Sequence, residues 1–201
     1  IDVPGCAGIN HADFSIDGRY AIFTCEFTGG VAKIDLVERK VLGYLQLILP
    51  GKPTKVVKGP DGRDETICTT WKGMPQDIRV SPDGKTWYIA DMMSNGVYVV
   101  DGERFAQIDY VKTSTGAHGL YPSRDGTKLY IANRGSNKIH APPKGPGGVS
   151  VLDFATRKIV AEWPIPGGGS PDMGNVSADG KQLWLSGRYD DAVYVIDTDT
   201  G

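Results

Sequence analysis

Apolar positions along the chain fall into short runs of strand length, divided by stretches rich in Gly, Pro, Asp and Asn. Asp77-Ile78-Arg79-Val80 alternates polar and apolar side chains, the period of a half-buried strand. Ser81-Pro82-Asp83-Gly84 then predicts a turn, because Pro presets φ and Gly accepts the positive φ of a tight hairpin. Trp87-Tyr88-Ile89-Ala90, Val97 to Asp101 and Phe105 to Val111 give three further strands, all rich in side chains that suit a pleated surface. Four antiparallel strands in succession form one meander, which is one propeller blade.

The same unit occurs four times. Its Asp-Gly turns end at Gly18, Gly84, Gly126 and Gly180, and its third strands close at Asp35, Asp101, Asp153 and Asp197. In three copies the spacing from turn Gly to closing Asp is identical: 35−18, 101−84 and 197−180 all give 17. The third copy spans 153−126, or 27, so it carries ten extra residues. These fall near 137–148 and include Ala141-Pro142-Pro143-Lys144-Gly145-Pro146-Gly147-Gly148, a composition that predicts a surface loop. A second insertion covers about 50–72. The predicted blades are approximately 10–47, 76–111, 118–165 and 172–201, the last without its outer strand. The fold class is therefore all-β, a propeller of four-stranded antiparallel blades.

Pro75 to Asp91 with Val97 to Asp101, Leu129-Tyr130-Ile131-Ala132-Asn133, and Val193 to Asp197 carry a signature in register. It resembles that of the YVTN family of bacterial β-propellers, relatives of the WD-repeat fold. The resemblance implies a ring that usually has seven blades, in an exported bacterial protein. Ile1-Asp2-Val3-Pro4-Gly5 aligns with Trp163-Pro164-Ile165-Pro166-Gly167, since 18−3 and 180−165 both give 15. That leaves two arrangements: part of a larger ring, which the family resemblance favours, or four blades closed by Ile1 to Val3 as a short sealing strand.

Composition trims the function classes. The net charge of −2 gives no basic footprint for nucleic acid. No apolar run approaches the roughly 18 residues of a membrane helix. The chain opens with Ile rather than Met and has no secretory signal at its start, so a processed, trimmed or engineered start is expected.

Blade geometry predicts where reactive side chains collect. First strands line the central channel, and the loops from fourth to first and second to third strands share one face, the top. Cys6, His11, Cys68, Met74, His118 and Met173 fall in or just after the first kind of connection. Cys25, Met92, Met93 and His140 fall in the second kind. Eight residues before each turn Gly stand Asn10, Gln76, His118 and Asp172; the next position holds His11, Asp77, Gly119 and Met173. Asn10, His11, Gln76, Asp77, His118 and Asp172 are thus candidate ligand-binding residues at the channel mouth. The bland counterpart is a wet channel rim, polar because it is hydrated. Cys6 and Cys25 both belong to the top of blade one and form a candidate disulfide, with Cys68 as an alternative partner.

The expected function is a binding scaffold that presents a small-molecule or protein-partner site on the top face. No nucleic-acid partner is expected. The alternative is an oxidoreductase or electron-transfer subunit with a metal or haem at the mouth. His11 and His118 are the candidate metal ligands, and His, Cys and Met suit copper. Copper or haem occurs in some related extracytoplasmic propellers, although no Cys-x-x-Cys-His attachment motif is present here. A lactonase-type hydrolase using Asp77 and Asp172 as paired carboxylates is the third reading. The expected location is extracytoplasmic.

Overall fold

The computed structural model describes all residues, 1–201, and contains strands without helices. Blade one comprises β1 (Ile9–Phe14), β2 (Tyr20–Cys25), β3 (Gly30–Asp35) and β4 (Lys40–Gln46). A hairpin of β5 (Thr54–Lys58) and β6 (Asp64–Cys68) follows. Blade two comprises β7 (Pro75–Val80), β8 (Thr86–Asp91), β9 (Gly96–Asp101) and β10 (Ala106–Lys112). Blade three comprises β11 (Ala117–Pro122), β12 (Lys128–Asn133), β13 (Gly148–Asp153) and β14 (Lys158–Pro164). Blade four holds β15 (Pro171–Val176), β16 (Gln182–Gly187) and β17 (Ala192–Asp197). Each blade is one antiparallel sheet with its strands in chain order.

The repeated turns share one chemistry. Gly18, Gly84, Gly126 and Gly180 all have φ between 68° and 79°. Within each turn a serine hydroxyl bonds the aspartate two residues on: Ser15 to Asp17, Ser81 to Asp83, Ser123 to Asp125 and Ser177 to Asp179. The closing aspartates cap the next turn; Asp35 Oδ1, for example, accepts from the N–H groups of Val37 and Glu38. The 50–72 insertion, to which the sequence reading gave no strands, folds as the β5–β6 hairpin. Its turn uses the same device: Gly62 has φ 79°, and Asp61 Oδ1 accepts from Arg63 N.

Hydrophobic cores lie between blades. Ile22 and Val31 of blade one pack with Trp87, Ile89, Tyr98 and Val100 of blade two. Tyr88, Val97 and Val99 pack with Leu120, Leu129, Ile131 and Leu152. Tyr130, Val149 and Val151 pack with Val176, Leu183, Leu185 and Ile196. At the start of the arc, Val3 and Cys6 cover Cys25, Ala32 and Ile34. Ile1 to Val3 pairs with no strand, so the sealing-strand arrangement is not what the chain adopts. The four blades stand in an arc, and blade four turns Trp184, Val193 and Val195 outward.

One irregularity recurs at the same place in every blade. Register slips between Ile9 and Ala12, Pro75 and Ile78, Ala117 and Leu120, and Pro171 and Gly174. Each first strand carries one more residue than its partner across the slip, which is a β-bulge. A bulge bends the strand and re-aims its side chains. The bulged pairs are residues 10–11, 76–77, 118–119 and 172–173.

Candidate functional site

The four bulges deliver the polar side chains of the channel mouth. His11 Nδ1 lies 3.5 Å from Asp77 Oδ1, and His118 Nδ1 lies 2.8 Å from Asp172 Oδ1. The two imidazole rings face one another edge-on, with centroids 6.1 Å apart. Asp77, His11, His118 and Asp172 thus form one continuous row contributed by blades two, one, three and four. Asn10 Nδ2 donates to Gln76 Oε1 at 3.2 Å, and Gln76 Nε2 donates onward to Glu26 Oε1 and the Met74 carbonyl. Asn10 is exposed and His11 half-buried, whereas Gln76, Asp77, His118 and Asp172 are buried.

Asp77 is structural as well as polar. Its Oδ2 accepts from Leu120 N on blade three at 2.9 Å, and its Oδ1 from Ile78 N and Arg79. It therefore clips two blades together while holding Arg79 and facing His11. Burial lowers the His11 pKa, although the Asp77 charge opposes the shift, so the neutral imidazole is favoured.

Asp172 gathers basic side chains. Besides His118, Arg188 Nη1 stands 3.3 Å from Oδ2 and Arg134 Nε 4.0 Å from Oδ1. Burial pushes the carboxyl up, but His118, Arg134 and Arg188 together outweigh it and hold Asp172 below its ordinary pKa. His118 Nδ1, Asp172 Oδ1 and Arg134 Nε are buried without a hydrogen-bond partner; Arg134 Nε, at 4.0 Å, stands too far from Oδ1 to make one. A Cβ at Gly119 would run into Tyr121 Oη and the Asp172 carbonyl, so the bulge there requires Gly.

A second set of side chains, of which sequence reasoning singled out only Met92, also recurs in register. Glu26, Met92, Arg134 and Arg188 each lie eight residues after a turn Gly: 26−18, 92−84, 134−126 and 188−180 all give 8. In each case the backbone N–H bonds a carbonyl in the preceding fourth-to-first connection: Gly8, Met74, Gly116 and Ser170. The register that located the first ring would have located this one had the count run forward from the turn.

The 137–148 insertion fastens this face. Asn137 Nδ2 bonds the Met92 carbonyl and Asn95 Oδ1. Tyr189 Oη bonds the Ile139 carbonyl and the Arg134 guanidinium, and Asp190 accepts from Lys144 N and Ser170 N. Blades two, three and four are thereby tied at the mouth. Cys6 and Cys25 are disulfide-bonded, with Cα atoms 4.8 Å apart, and Cys68 is a buried free thiol.

A family model described as YNCE-like beta-propeller matches residues 65–200. The chain belongs to the YNCE-like beta-propeller family. Antigen Lp49 of Leptospira interrogans is 24% identical over 212 residues, covering 83% of this chain and 43% of that protein. Among solved structures, the Kuenenia stuttgartiensis hydrazine synthase aligns at TM-score 0.53 and 20% identity, over 98% of this chain and 64% of that one. A putative 6-phosphogluconolactonase from Bacteroides uniformis aligns at TM-score 0.62 and 18% identity, over 94% and 50%. A chain of the Mitotic Checkpoint Complex aligns at TM-score 0.67 and 14% identity, over 100% and 50%. This chain spans less than two thirds of each of these, and the structural likenesses establish fold alone. No helix is long and apolar enough to cross a membrane.

Proposed function

We propose that this YNCE-like propeller is a binding scaffold whose channel mouth receives a small ligand or a short segment of a partner. The observation that carries the reading is the row Asp77–His11–His118–Asp172, assembled by a bulge in each of four blades and flanked by Arg134 and Arg188. Four separate strands deform at the same repeat position to aim these side chains inward, which a rim that is merely hydrated does not require. The hydrolase reading gains no support. Asp77 is 0% and Asp172 1% exposed, and both carboxylates are engaged by cations. A haem gains none either, because His118 is 6% exposed among packed neighbours and offers no open face to a macrocycle.

An extracytoplasmic location fits the Cys6–Cys25 disulfide, since such bonds persist in oxidising compartments. The ligand site is tested by imidazole NMR. The chain has three histidines, and His140 lies on the exposed insertion as an internal reference. A panel of carboxylates, phosphates and short peptides is expected to contain ligands that shift His11 and His118 but leave His140 in place. A panel that moves only His140, or none of the three, would overturn the reading.

A further inference from the structure

At the seam between blades three and four, two guanidiniums face one carboxylate, that of Asp172. Arg134 is the buried member of the pair, its side chain 4% exposed. Its hydrogen bonds all go to neutral acceptors: the Met92 sulfur, the Ile139 carbonyl and the Tyr189 hydroxyl. Asp172 Oδ1 stands 4.0 Å from Nε, which makes no hydrogen bond. A buried charge met so incompletely acts over a longer range than an exposed one, because little water lies around it to screen it.

Arg188 is the open member. Its side chain is 45% exposed at the rim, and its one bond within the protein runs from Nη1 to Asp172 Oδ2 at 3.3 Å. The rest of its donor fork is open. No other carboxylate comes as near to either guanidinium. Asp190, close to Arg188 in sequence, commits both oxygens to Lys144 N, Ser170 N and Tyr194 Oη.

Two guanidiniums against one carboxylate leave this half of the mouth with one net positive charge. The other half has the opposite balance, with Arg79 set against Asp77 and Glu26. An anion is therefore drawn to the Arg188 side and turned away from the side of blades one and two. A guanidinium fork accommodates a carboxylate through two parallel bonds, and a single negative charge matches the surplus. A phosphate monoester, with a charge of about −2, exceeds it.

We propose that Arg188 binds a ligand carboxylate through its open fork, beside His118, with the buried Arg134 adding charge from behind. The proposal rests on the reading of the mouth as a ligand site and names the chemical class of the ligand. Its test follows the imidazole signals of His11, His118 and His140 while the protein is titrated with matched acids and amides. The probes are benzoate with benzamide, acetyl-trialanine with its C-terminal amide, and phenyl phosphate. At least one carboxylate should shift His118 but not His140, and bind about ten-fold or more tighter than its amide, as expected for a hydrogen bond to a charged group. The pair that responds tells a small acid from a peptide terminus. Arg188→Gln should lose a similar factor, and Arg188→Lys should keep part of the affinity, since it retains the charge without the fork. The circular dichroism of Arg188→Gln should match the parent, which separates lost binding from unfolding.

Equal binding of acid and amide, tighter binding of phenyl phosphate than of benzoate, or parental carboxylate affinity in folded Arg188→Gln would overturn the proposal. So would carboxylates that leave both His11 and His118 in place. The wider reading fails separately. If the amides shift His11 and His118 as the acids do, the ligand site stands and only the carboxylate assignment falls.

Discussion

His118 Nδ1 stands 2.8 Å from Asp172 Oδ1 across the seam between blades three and four, yet neither atom has an aligned hydrogen bond. Two guanidiniums share the same carboxylate, Arg134 from the buried side and Arg188 from the exposed side. The carboxylate accepts one hydrogen bond, from Arg188 Nη1 to Oδ2, and is otherwise held by the charge of Arg134 and the adjacent His118 ring. Holding a carboxylate largely by charge tolerates small shifts of its partners. It also makes Asp172 the point at which charge at the mouth is most sensitive to substitution.

Asp172→Asn should destabilise the protein at neutral pH by about 3 kcal/mol, because it strands buried positive charge. The pH dependence has a defined sign. The folded-state pKa of Asp172 is depressed, so its contribution is present above the unfolded value of about 3.9 and is lost as pH falls through the folded value. Urea unfolding of parent and variant should show the largest gap above about pH 5 and a narrowing gap below about pH 4. A gap that does not change with pH would refute the charge argument.

Asp77 separates a structural from a ligand role. Removing its carboxylate leaves the buried Leu120 N–H and Arg79 without their partner. Asp77→Ala should cost about 2–4 kcal/mol, whereas Asp77→Asn keeps an acceptor for Leu120 and should cost less. Hydrogen exchange at Leu120 gives the direct readout, with faster exchange in the alanine variant than in the asparagine variant. Equal exchange in the two would show that the clip does not depend on the acceptor oxygen.

Much of this arrangement was legible in the sequence. The Ser-x-Asp-Gly turns fixed the phase of every blade, and counting back from Gly18, Gly84, Gly126 and Gly180 located the row that includes His11, Asp77, His118 and Asp172. The bulges were not legible, because a period-two pattern describes a strand in even register and the slip is a property of two strands together. Arg134 and Arg188 were missed for a different reason: their repeat position is regular, but the side chains that occupy it, Glu26, Met92, Arg134 and Arg188, share no chemistry that marks them as a set. The β5–β6 hairpin was missed although Asp61-Gly62 repeats the turn chemistry of the blades, since the residues around it do not fit the blade spacing.

The Cys6–Cys25 bond closes a loop of sequence separation 19. Chain-entropy reasoning gives such a crosslink about 3 kcal/mol, with native-state strain able to reduce it. The double variant Cys6→Ser/Cys25→Ser should lose about that much in urea unfolding. Thiol titration of denatured protein should find one thiol, that of Cys68, before reduction and three afterwards. Three thiols in the unreduced protein would refute the bond.

The last prediction concerns blade faces. Four residues after the turn Gly stand Ile22, Tyr88, Tyr130 and Trp184, since 22−18, 88−84, 130−126 and 184−180 all give 4. The first three pack into the following blade. Trp184, on the outer face of blade four, is 46% exposed, against 1% for Tyr88. Position in the repeat is therefore the same, while the burial that confers stability differs. Tyr88→Ala should cost about 3–5 kcal/mol, the range for emptying an aromatic site in a core. Trp184→Ala should cost about 1 kcal/mol or less, because much of its surface is already in water. Denaturant unfolding of the two variants in this 201-residue chain decides the matter. Equal losses would mean that Trp184 is covered in solution, for instance by a second copy, and a protein-concentration dependence of its midpoint would identify that case.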